Sequence, residues 1–217
     1  KLSEVTIPKS VTSIGDFAFS DCASLTNISI RNVVTRIGAC AFKDCSGLKS
    51  VTIPNSVKYV DQRAFENCTR LTNVAIPSGM TGLNYGMFNG CTGLKSVFIS
   101  DSVKYIDREV FKDCTGLTRV TFGKNVQSIG EFAFSGCTSL TGVTIGEGVK
   151  KIRESAFSGC AGLMRVVIPD NVESIESCAF SNCTRLTSVT LGKGVTSVGD
   201  DAFVFCYKLV EIINNSN

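Results

Sequence analysis

The sequence predicts an α/β solenoid of nine 23-residue coils followed by a C-terminal stub, and three observations carry that expectation. Leucine recurs without insertion at positions 2, 25, 48, 71, 94, 117, 140, 163 and 186. Counted from each leucine, the residue at offset 17 is always Phe and the residue at offset 20 always Cys. Offsets 3, 5, 9, 12 and 16 are apolar in every copy, as Val5, Ile7, Val11, Ile14 and Ala18 are in the first. Self-similarity at a fixed short period marks stacked units, none of which can bury its apolar face alone. Residues 1–217 therefore read as one domain, with a partial repeat from Leu209.

Within a coil, Leu-x-x-Val-x-Ile alternates as a half-buried strand does, and Val-x-x-Ile reads as a second extended piece. Pro8, Pro54, Pro77 and Pro169 all stand at offset 6, with Gly123, Gly146 and Gly192 there in other coils. Proline cannot donate to a strand ladder, so this column ends the first strand. The closing stretch, Gly15 to Cys22 in the first coil, is expected to be a helical turn or a tight 3₁₀ segment returning the Phe to the core, hence the α/β class. Stacking at about 4.8 Å per coil gives a continuous core roughly 38 Å long. In the stub Leu209–Asn215, Asn214 falls at offset 5, where the regular core is expected to stop.

Composition removes whole classes of chemistry. The chain has no His, so Ser-His-Asp and Cys-His catalysis, His-bearing zinc sites and histidine switches are excluded. Lys and Arg number 22 against 19 Asp and Glu, a formal charge of +3, without the clustered basicity of a nucleic-acid binder. No apolar run approaches the ~18 residues of a spanning helix, so membrane insertion by this segment is not expected. No phosphate or dinucleotide glycine motif and no calcium-loop spacing occurs, and no cofactor is expected. Beginning at Lys1 in mid-pattern, the chain reads as a piece of a longer protein.

The consensus Leu-x-x-Val-x-Ile-Pro-x-x-Val-x-x-Ile-x-x-x-Ala-Phe-x-x-Cys resembles the BspA-like (Treponema-type) leucine-rich repeat over residues 2–208. That resemblance implies a leucine-rich-repeat solenoid from a family of bacterial cell-surface proteins and protozoan surface antigens, where adhesion is the usual proposed role. It implies a cell-surface or secreted, non-catalytic module that binds a protein or glycan ligand, host-derived ones included. The alternative is an intracellular protein–protein interaction scaffold. The family offers no active-site signature to transfer.

Nine of the eleven Cys share the offset 20 column, and a single file of parallel thiols suits buried reduced side chains better than zinc or disulfides. Cys40 and Cys178 share offset 15 with Phe17, Arg63 and Asp201, a tolerant column expected to be exposed. Sequons occur at Asn27, Asn67, Asn182 and Asn214, which a eukaryotic secretory route could glycosylate, but Asn67 and Asn182 simply precede core Cys residues in a turn that favours Asn, Asp and Gly, and the plain reading is preferred. Two ligand-binding candidates stand out where the repeats depart from consensus. One is Tyr59, Gly82 and Tyr105, all at offset 11, two rings flanking a missing side chain in the Met- and Gly-rich fourth coil. The other is Phe98 at an outward strand position with Asn73 and Arg119 on either side, since aromatics and Arg dominate interface hot spots.

Overall fold

The computed structural model describes residues 2–214. Three backbone ladders run along the stack, the second of them with one break. The first is built from offsets 2 to 4: ten parallel strands in strict chain order, from Glu4–Thr6 to Glu211–Asn214. Equivalent residues pair, Val5 with Ile28 and Ile28 with Val51. A slip of one residue would turn the whole Val and Ile column into water, which fixes the register. Offsets 2 and 4 consequently point outward along this long sheet, exposed on either side of a buried offset 3.

The second ladder consists of two-residue strands at offsets 11 and 12, and it is interrupted. Three strands run from Ser13–Ile14 to Tyr59–Val60, six from Gly82–Leu83 to Ser197–Val198, with no pairing between the two sets. In other coils the offset 13 N–H donates to the offset 12 carbonyl of the preceding coil, as Asp61 does to Ile37 and Asp107 to Leu83, both at 2.9 Å. In coil four the Asn84 side chain does this instead, its Nδ2 donating to the Val60 carbonyl at 2.6 Å. Met80 and Met87 fill the core there where most coils carry Val and Ala, and both are fully buried. The break in the ladder thus coincides with the coil whose core carries the two larger side chains.

The closing stretch is not a helix, and the expected 3₁₀ segment is corrected to a ladder of turns. In all nine coils the residues at offsets 15 and 19 have positive φ, such as Phe17 (56°) and Asp21 (59°). Left-handed residues so closely spaced break any helical run. Alternate N–H groups then split their bonds: Ser20 donates locally to Phe17, while Phe17, Phe19 and Asp21 donate across to Ala39, Ala41 and Lys43 of the next coil, each at 2.8 Å. Offset 19 is Asp, Asn or Gly in every coil but the last, the residues that tolerate this conformation. Offset 15 is held by these cross-coil bonds rather than by residue type. The described residues thus form a parallel β-solenoid without helices, and the α/β label does not apply.

Every Phe at offset 17 stacks on the next, from Phe19 to Phe203, with centroids 5.2 to 5.6 Å apart and rings within 14° of parallel. This step is slightly longer than the roughly 4.8 Å between paired strands, as rings stacked with a lateral offset require. Each Cys at offset 20 from Cys45 to Cys206 donates its thiol to the offset 17 carbonyl of the preceding coil, Cys45 to Phe19 at 3.0 Å and Cys114 to Phe88 at 3.2 Å. From Phe19 to Phe157 that carbonyl already accepts the N–H of its own coil's Cys, so the thiol satisfies its second lone pair. All eleven thiols are free. Burial pushes the Cys45 and Cys160 thiols up to about 12. Cys40, expected to be exposed, is 8% exposed, and burial raises its thiol too. Cys178 and the end-coil Cys22 are the half-buried ones.

Candidate functional site

The outer face of the long sheet carries two parallel columns. At offset 4 they run mainly through Thr and Ser, broken by Ala75, Phe98 and Val167. Phe98 is 62% exposed and Val167 61%. The strand register gathers Asn73, Phe98 and Arg119: Ser96 pairs with both Asn73 and Arg119, while Phe98 lies between Ala75 and Thr121. The small Ala75 leaves one flank of the Phe98 ring open.

The trio at offset 11 is arranged otherwise. Tyr105 pairs in register with Gly82, but Tyr59 belongs to the separate three-stranded sheet. A Cβ on Gly82 would land on the Tyr105 ring and hydroxyl. The Tyr105 side chain therefore fills the space above Gly82, and the expected slot between two rings is closed by one of them. Tyr59 is engaged by the Arg36 guanidinium 5.4 Å from its centroid. Tyr105 instead lines a small hollow of about 340 Å³ with Asp107, Arg108 and Arg153.

A trough of about 900 Å³ lies on the long sheet from coil six onward. Gly142 lines it, and an added Cβ there would meet nothing within 4 Å. Arg119 pairs with Gly142 on one side, and Arg165 occupies the same column one coil further. Arg185 and Lys208 border the trough one place ahead of the core leucines, and no acidic side chain lines it. None of these four cations takes part in an ion pair among the described residues. Of this group, the sequence singles out Arg119 alone. The signal was the run Arg119, Gly142, Arg165 at offset 2, but Arg185 and Lys208 join it only through the fold.

The chain belongs to the BspA-type leucine-rich-repeat family, whose repeat model matches residues 1–118 and 106–217. Among solved structures it is similar to a leucine-rich repeat protein from Bacteroides ovatus, with 27% identity, 97% of this chain and 72% of that one covered, and a TM-score of 0.63. The T. pallidum leucine-rich repeat protein is 26% identical over 96% of this chain and 78% of its own, with a TM-score of 0.56. The pneumococcal vaccine antigen PcpA shares the fold at 21% identity and a TM-score of 0.64, covering 100% of this chain and 58% of that one. No curated protein matches the chain. The match is to a repeat-built binding fold and indicates no catalytic family. Among the described residues no helix is long and apolar enough to cross a membrane.

Proposed function

We propose that this chain is a non-catalytic binding and adhesion module of a cell-surface or secreted protein, presenting the outer face of its long sheet to a protein ligand. The observation that carries this reading is the exposed Phe98 on that face. A large apolar ring stands in a Thr column with Asn73 and Arg119 beside it, the composition of an interface anchor surrounded by polar groups. Family membership supports the surface setting. Eleven free thiols favour a second reading, the intracellular scaffold, because cysteine-rich secreted chains ordinarily carry disulfides.

The test coats beads with the chain and measures their retention on host epithelial cells and on immobilised matrix proteins. Phe98→Ala is expected to cut retention by about tenfold, the ~1.4 kcal/mol of a modest hot spot. Lys104→Glu, on the side remote from the long sheet, is expected to leave it unchanged. Retention lost equally in both variants, or in Lys104→Glu alone, would refute the assignment of the face. Protease treatment of intact source cells separates the two settings: loss of the chain supports surface display, and full protection supports the scaffold.

A further inference from the structure

The trough on coils six to nine brings four cations onto one surface. Some cations elsewhere meet carboxylates: Lys124 lies 3.8 Å from Asp101, Lys150 3.7 Å from Glu173, and Arg36 2.9 Å from Asp61. Arg119, Arg165, Arg185 and Lys208 face one trough with no such partner among the described residues. Its lining holds these four cations and no carboxylate, so the trough presents charge of one sign. Arg119 and Arg165 stand two strands apart, about 9.6 Å between backbones, with only Gly142 between them. Two guanidiniums reaching over a residue without a side chain leave a gap for a planar carboxylate, which such forks bind bidentately. Beside Arg165 stand Met164 and Val167, both exposed and apolar. A purely hydroxyl-lined and basic trough would suit a sulfated glycan. Exposed Met and Val between arginines suit a protein chain, since Met and Arg are enriched at protein interfaces.

Resting on the reading of the long sheet as a binding face, we infer that the trough receives an acidic protein segment. Arg119 and Arg165 clamp one carboxylate over Gly142, Arg185 and Lys208 attract a second, and Met164 and Val167 seat an adjoining aliphatic side chain.

Fluorescence anisotropy at low salt tests this with three labelled probes: a peptide repeating Glu-Val, a peptide repeating Glu-Ser, and a heparin oligosaccharide. The native chain is expected to bind Glu-Val most tightly. Arg119→Ser with Arg165→Ser is expected to weaken both peptides about tenfold or more. Val167→Thr is expected to bring Glu-Val down to the level of Glu-Ser and leave Glu-Ser unmoved. Lys104→Ser with Lys151→Ser, removing the same charge elsewhere, is expected to change the peptides by less than about threefold. The proposal is overturned if heparin binds more tightly than Glu-Val, if the remote double variant weakens the peptides as much as the trough variant, or if no probe binds. Retention of beads that still depends on Phe98 while the acidic probes fail would overturn the trough assignment and leave the binding-face reading standing. Failure of both removes both.

Discussion

Replacing Phe134 by Ala should cost clearly more than replacing Phe88 by Ala, although both rings are fully buried in the same column. Equal burial makes the transfer contribution equal, so the difference isolates how well each site closes over the cavity. Phe134 is stacked 5.2 Å from Phe111 and from Phe157, and it also meets the edge of Phe122 at 5.6 Å and 70°. Phe88 has looser stacks, 5.5 Å to Phe65 and 5.6 Å to Phe111, and Ile76 stands at the offset where coil six carries Phe122. Phe to Ala in a core costs about 3 to 5 kcal/mol, depending on how far the surroundings relax. The edge-to-face pair adds about 0.5 to 1.5 kcal/mol at Phe134 alone. Around Phe88, Met80 and Met87 can refold into the space, and the second ladder is already open between coils three and four. Phe134→Ala therefore belongs near about 5 kcal/mol and Phe88→Ala near about 3, a gap of about 2 kcal/mol. Urea unfolding followed by far-UV circular dichroism and by tyrosine fluorescence reads it. Two probes are needed because a solenoid coupled only between neighbours can unfold in parts. Losses equal within about 0.5 kcal/mol, or a larger loss at Phe88, would refute the reasoning that coil four is soft.

Maleimide should label Cys22 and Cys178 in the native chain and all eleven thiols after denaturation without reductant; a denatured count below eleven would reveal disulfides. Burial holds the Cys45 and Cys160 thiols neutral up to about 12, whereas unfolded thiols ionise near 8.5. Their contribution is thus complete below pH 8.5 and lost as pH rises towards 12, at about 1.4 kcal/mol per pH unit per thiol. The urea midpoint should fall steeply above pH 9, less so in Cys160→Ala, and a flat midpoint to pH 11 contradicts this. Asn84→Ala removes the side-chain bond to the Val60 carbonyl and should cost about 1 to 2 kcal/mol, with Asn84→Asp no better because it has no donor. Gly82→Ala should destabilise the chain, since its methyl lands on Tyr105, and the penalty should shrink when Tyr105→Ala is also present; a double-mutant cycle without coupling would show the ring is not seated there.

Much of the fold is written in columns that a period makes visible. The leucine spacing, the outward offsets 2 and 4, and the buried Phe and Cys files all follow from one coil's apolar pattern repeated, because equivalent residues must stack when each coil buries only against its neighbours. Even the anomaly of coil four was legible, as Met80, Leu83 and Met87, although the sequence pointed there to a slot. The sequence could not tell turns from a 3₁₀ segment, since offset 15 accepts Phe17, Cys40, Arg63 or Glu109 and its left-handed backbone is enforced by bonds from the adjoining coil. Nor could spacing show that Tyr105 folds over Gly82, because a rotamer is chosen by the space next to it. The basic trough was hidden for the same reason. Arg165 stands at offset 2 and Arg185 at the last position before the next leucine, separate columns of the repeat, and only the stacking of coil on coil brings their charges onto one surface.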